Sequence, residues 1–107
     1  MAARMIGTAL LTISDENASV KFDVGDYISV TVEAFADQGD WSDGVLDVNR
    51  SVSGGQFFAL QTPQTLSAKT ASITDAIDVN FRYIQVRVST KNSATCRAQI
   101  LVWGRTN

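Results

Sequence analysis

The stretch richest in groups capable of chemistry is Ala36-Asp37-Gln38-Gly39-Asp40-Trp41-Ser42-Asp43-Gly44. Its carboxylates, Asp37, Asp40 and Asp43, are the hard oxygen ligands that calcium takes. Their spacing does not follow the EF-hand loop, and no glutamate closes one. Acidic residues among glycines are also the ordinary composition of a solvated loop, which is the plainer reading. Trp41 has two readings there: an exposed stacking platform or interface anchor, or a lid folded over one end of the core. Asp47 with Asp75 or Asp78 has the makings of a glycosidase carboxylate pair. Nothing places them across a cleft, and eleven acids in 107 residues make chance pairs common. Nucleophilic chemistry lacks its usual base, because the chain contains no histidine. Only Lys21, Lys69 or Lys91 remain to activate a hydroxyl, and none stands in a Ser-x-x-Lys arrangement. Gly54-Gly55 is not followed by Gly-Lys-Ser/Thr, so it reads as a turn and not as a phosphate loop. The expectation is no enzyme, no cofactor and no metal site.

Composition narrows the partners. Nine Lys and Arg against eleven Asp and Glu give a net charge of −2, and the sequence pI is about 4.8. That balance argues against nucleic acid, whose phosphates are neutralised by Lys and Arg. A single cysteine excludes an internal disulfide and a thiolate zinc cluster. No stretch approaches the ~20 apolar residues of a membrane helix, so no membrane partner is expected. Arg4 and the apolar run after it resemble a weak signal peptide, but Gly7 and Thr8 interrupt the run and no small-residue cleavage site follows. A first strand and synthesis in a cytoplasm are the expectation.

The elements that must position these residues are strands. Ile28, Val30, Val32 and Ala34 alternate with Ser29, Thr31 and Glu33; Ile84, Val86 and Val88 alternate with Gln85 and Arg87. Cys96, Ala98, Ile100 and Val102 alternate with Arg97, Gln99, Leu101 and Trp103. Period two is the pattern of strands with one buried face, and it makes Cys96 a small core residue and not a reactive thiol. Weaker strands are expected over residues 6–13, 18–24, 44–52, 56–61 and near 66–73. No window carries a helical apolar stripe. Turns fall at Ser14-Asp15-Glu16-Asn17, Gly25-Asp26 and Ser53-Gly54-Gly55, with Pro63 ending a strand; Lys91-Asn92-Ser93 reads as a hairpin between the last two strands. Arg87 and Arg97 point outward, where cross-strand acids would pair with them. The whole is one all-β domain over residues 1–107, an antiparallel β-sandwich of about eight strands with jelly-roll or immunoglobulin-like connections.

One segment carries a resemblance. Val45-Leu46-Asp47-Val48-Asn49-Arg50-Ser51-Val52-Ser53-Gly54-Gly55-Gln56-Phe57-Phe58-Ala59-Leu60 resembles the "apolar-x-apolar-x-Arg-Ser-x-Asp/Ser-Gly-Gly" strand, then an aromatic and a leucine, of small β-sandwich modules in tailed-phage virions. Tyr83-Ile84-Gln85-Val86-Arg87-Val88 and Ile100-Leu101-Val102-Trp103-Gly104 resemble their closing strands. The likeness runs over residues 44–104, with Ser53 where many such modules have aspartate. It implies a virion structural protein. The length suits a capsid decoration (cement) protein that binds the major capsid protein shell, commonly as a homotrimer on the capsid surface. Head-fibre, neck, tail or baseplate modules are the alternatives, as is a carbohydrate-binding sandwich with Trp41 and Tyr83 as platforms. The apolar anchors expected at an interface are Met5, Phe35, Trp41, Phe57 and Trp103. Phe35 falls on the polar face of its strand, where an aromatic marks an interface unless it closes over the core at the strand's end.

Overall fold

The computed structural model describes residues 3–59, 65–66, 70–72 and 77–106. It is all-β, with no helix among the described residues. Ten strands follow one another: β1 (Arg4–Thr12), β2 (Ser19–Asp23), β3 (Ser29–Gly39), β4 (Val45–Ser51), β5 (Phe58–Ala59), β6 (Thr65–Leu66), β7 (Thr70–Ser72), β8 (Ile77–Asp78), β9 (Tyr83–Thr90) and β10 (Cys96–Arg105). The count exceeds the expected eight because the stretch after the Gly54-Gly55 turn holds four segments of two or three residues. Lys69, Asp75 and Pro63 lie outside the described residues, as does Ile73 at the end of the expected 66–73 strand.

The strands form two antiparallel sheets. The first runs β1-β10-β3, with β7 and β8 one after the other along the far edge of β3. The second runs β2-β9-β4, with β5 and β6 along the far edge of β4. Alternation dictates what each sheet buries. Ala98, Ile100 and Val102 of β10 and Val30, Val32 and Ala34 of β3 turn inward from the first sheet; Leu46, Val48, Ile84, Val86 and Val88 do so from the second. All belong to one buried cluster, so each sheet is the other's apolar solvent. A fully buried Val, Leu or Ile contributes roughly 1.5–3 kcal/mol relative to exposure.

Two expectations are corrected. Lys91-Asn92-Ser93 is not a hairpin: β9 and β10 belong to different sheets, and the segment carries the chain between them. Turn residues are alike in hairpins and in crossings, so local composition does not separate the two. Ile28 is not part of the inner row either, being 46% exposed just before β3 begins. The Ser53-Gly54-Gly55 turn does join an antiparallel pair, with Arg50 opposite Phe58 and Asn49 opposite Ala59.

Bulges set which side chains face out. In β1, Met5 pairs with Trp103 but Gly7 with Val102, leaving Ile6 as the extra residue. The added residue shifts the phase, so Met5 lies on the outer face with Thr8 and Leu10, while Ile6 packs on the core. In β3, Gln38 pairs with Arg97 and Ala36 with Ala98, so Asp37 is the extra residue. Its carboxylate accepts from Arg97 Nε at 2.9 Å and from Arg97 Nη2. Two residues on, Gly39 has φ of +80° and passes so close to the Thr95 carbonyl that a Cβ would overlap it. Gly39→Ala is therefore expected to cost about 1–3 kcal/mol from the backbone conformation alone, with the steric overlap added to it. Gly55→Ala, whose Cβ would meet only Ser53 Oγ at 3.7 Å, is expected to be near neutral. Urea unfolding of the two variants checks the contrast.

Candidate functional site

The acidic loop is organised around one buried amide. Asn92, 1% exposed, receives three consecutive backbone N–H groups on its Oδ1: Ser42 at 2.9 Å, Asp43 at 3.0 Å and Gly44 at 2.9 Å. Its Nδ2 donates to the carbonyls of Asp40 at 2.9 Å and Ala94 at 2.7 Å. Two of the three carboxylates find donors inside the chain: Asp37 takes Arg97, and Asp43 accepts from the N–H and the hydroxyl of Ser93 at 2.8 and 3.1 Å. Those bonds to Ser93 hold the Asp43 carboxyl below the ordinary 3.8. Among the described residues no group of three or more Cys, Asp and Glu is placed to hold a metal ion.

Trp41 is corrected as an interface candidate. It is 1% exposed, and its Nε1 donates to the Gly44 carbonyl at 2.6 Å. It is a lid over the core, with no face to offer a sugar or a partner. Tyr83 is a poor platform too, since Lys21 Nζ stands 5.1 Å and Arg82 Cζ 5.3 Å from its ring centroid. Asp47 lies on β4 of the second sheet, 3.6 Å from Arg87, whereas Asp78 lies on β8 of the first. Phe57 is half-buried beside the β4–β5 turn, and its neighbour Phe58 is the ring that stands out, at 59% exposure.

Met5, Phe35 and Trp103 come together. They share the outer face of the first sheet with two residues that the alternation places there but that were not singled out, Leu10 and Leu101. Three successive cross-strand rows build this face: Met5–Trp103–Thr31, Thr8–Leu101–Glu33 and Leu10–Gln99–Phe35. Met5 is 49% and Leu10 51% exposed; Phe35, Leu101 and Trp103 are half-buried. The polar members pair among themselves. Trp103 Nε1 donates to Glu33 Oε1 at 2.6 Å, and Gln99 Nε2 to Thr8 Oγ1 at 3.1 Å. A partner laid on this face would meet apolar surface beside polar groups of which Glu33 Oε1 and Thr8 Oγ1 already have donors.

The outer face of the second sheet is the opposite. Its rows are Ser19–Arg87–Asp47, Lys21–Gln85–Asn49 and Asp23–Tyr83–Ser51, tied by the Arg87–Asp47 pair and an Asn49 Nδ2 to Gln85 Oε1 bond of 3.0 Å, with Tyr83 as the one aromatic ring among them. One side of the molecule is built for water and the other is half apolar. No known protein family, curated protein or solved structure matches the chain.

Two outcomes follow for the loop. Asn92→Ala leaves three N–H groups without their acceptor, at about 1–3 kcal/mol for each buried donor that water cannot reach, and is expected to be the costliest polar-to-alanine change in the chain by urea unfolding. The pH dependence has a definite sign. A carboxyl held below its unfolded value contributes stability that is complete above that value and is lost as pH falls through the folded one. Asp43→Asn is thus expected to flatten the decline of Tm on acidification below about pH 4. Asp23, lowered chiefly by the Gly25 N–H and then by Arg82, supplies a separate share, so Asp23→Asn should flatten the same limb additively.

Proposed function

We propose that this protein is a non-enzymatic structural subunit of a tailed-phage virion that docks through the outer face of its first sheet. The observation that carries the proposal is the contrast between the two sheet faces. Surface this apolar on one face, beside an opposite face that is polar apart from Tyr83, marks a contact site on a folded protein. Aromatic residues and Met are enriched at such sites, and the one charged residue in these rows, Glu33, is bonded to Trp103. Trp103 and Phe35 are the anchors, with Met5, Leu10 and Leu101 around them. Trp103 is held in one orientation by Glu33, so little side-chain entropy remains to be lost on binding.

The virion context comes from the resemblance over residues 44–104. In this reading the two sheets form a β-sandwich and the chain is a capsid decoration protein bound to the major capsid protein on the capsid surface. The three-fold assembly that the resemblance implies is then a property of the shell-bound protein. Head-fibre, neck, tail and baseplate positions use the same face.

Mass spectrometry of virions purified from the phage that encodes the chain is expected to find it as a stoichiometric component. Co-sedimentation with shells lacking it is expected to recover binding that Trp103→Ala with Leu101→Ser weakens at least about tenfold, the loss of one anchor residue. Absence from virions, or binding indifferent to both substitutions, would overturn the reading. Saturable binding to a glycan array in place of shells would move the face to carbohydrate recognition.

A further inference from the structure

The two sheets leave two long edge strands, β1 and β2, and their treatment differs. Ladder polarity shows which backbone groups are unpaired. Ile13 N donates to the Cys96 carbonyl at 3.0 Å, and the register continues through Leu11 opposite Ala98 and Ala9 opposite Ile100. Antiparallel ladders alternate between bonded and non-bonded pairs, so Thr8 and Leu10 turn their N–H and C=O groups away from β10, to the open side of the sheet. The same argument from Val88 N to the Ala18 carbonyl, 2.8 Å, and Val24 N to the Arg82 carbonyl, 2.7 Å, makes Ser19, Lys21 and Asp23 the open positions of β2.

Charged side chains at open positions are how folded proteins keep strand edges from pairing. β2 has them in Lys21 and Asp23, both exposed. The open positions of β1 are Thr8 and Leu10, neutral and also exposed, within a run of six residues from Gly7 to Thr12 with unbroken register and no proline. Charge lies only beyond the two ends of that run. Arg4 begins β1, Arg105 stands beside it at the end of β10, and the Asp15-Glu16 turn follows Thr12. The strand is bipolar.

We propose that the protein forms a two-fold dimer in which β1 pairs antiparallel with β1 of a second copy. Antiparallel self-pairing satisfies the open groups of Thr8 and Leu10 in both copies and brings Arg4 of each beside the Asp15-Glu16 turn of the other. Parallel pairing sets Arg4 against Arg4. A charged or proline-bearing segment of another protein would lose either this complementarity or a ladder bond. The pairing merges the two first sheets into one and sets their apolar outer faces side by side. It does not depend on what those faces bind.

Sedimentation of the full chain across a wide concentration range tests this directly. The expected species is a reversible dimer of twice 11.6 kDa, with amide hydrogen exchange at Thr8 and Leu10 slowing as concentration rises. Leu10→Pro removes an N–H that the monomer does not use and is expected to yield monomer. Should that variant fail to fold, charge reversal decides: Arg4→Glu alone and Glu16→Arg alone each weaken the dimer several-fold, and the double exchange restores it. Trp103→Ala leaves the dimer unchanged, so failure of the shell-binding proposal and failure of this one are read separately. A monomer at every concentration, a trimer, or a dimer indifferent to both Leu10→Pro and the charge exchange overturns the inference.

Discussion

Three chain segments converge on Asn92, through its side chain and its backbone N–H, and the arrangement of both sheets depends on that meeting. The β3-to-β4 crossing wraps its N–H groups around Oδ1, and the β9-to-β10 crossing supplies Asn92 itself and the Ala94 carbonyl. The end of β1 accepts from the Asn92 N–H through the Ile13 carbonyl at 2.7 Å. Each segment leaves or enters a strand of the first sheet at the same end. A neutral amide suits this place because it is acceptor and donor at once; a carboxylate would leave the carbonyls of Asp40 and Ala94 without their donor. Once this end is fixed, β10 is held in the centre of the first sheet between β1 and β3, and Leu101 and Trp103 are carried outward at the positions where β1 and β3 flank them with Met5, Leu10 and Phe35.

Much of this was readable from the residues. The alternating faces of β3, β9 and β10 follow from period two, as do the inward place of Cys96 and the outward place of Arg87 and Arg97. The partners of those two arginines, Asp47 and Asp37, were not, because alternation describes a strand and says nothing about its neighbour. For the same reason β9 and β10 read as a hairpin when they lie in different sheets. Met5 and Trp103 were singled out as lone apolar residues; their being neighbours depends on the bulge at Ile6, a one-residue phase change that no composition signal marks. Composition leaves Trp41 ambiguous. An indole amid three aspartates has the local look of a surface platform, and only the loop's closure over Asn92 turns it inward.

The resulting molecule spends its polar groups unevenly. On the second sheet, charges and amides face water and pair with one another across strands. On the first, Glu33 and Thr8 are engaged by Trp103 and Gln99, so the polar groups among the apolar residues are partly withdrawn from solvent in the isolated chain. Exposed apolar area gains nothing in the monomer, since each square ångström of it removed from water is worth roughly 25 cal/mol. Covering such a face gains the hydrophobic term of its apolar residues, set against the cost of desolvating the Glu33 carboxylate, which the Trp103 N–H offsets in part.

Edge and face act on each other through β1. Leu10 belongs to both: its side chain lies on the outer face opposite Gln99, and its backbone groups lie on the open edge. Pairing of two β1 strands leaves the side chains of Thr8 and Leu10 on the outer face while using their N–H and C=O groups, so the ladder grows without covering the apolar rows. Two faces that were separate become one surface crossed by a two-fold axis. Specific interfaces begin at around 1,000 Å² in total, a size that a few rows of one small sheet reach with difficulty and two adjoining sheets reach readily. A two-fold platform also binds two equivalent sites at once, and the second contact then forms at the effective concentration set by the first.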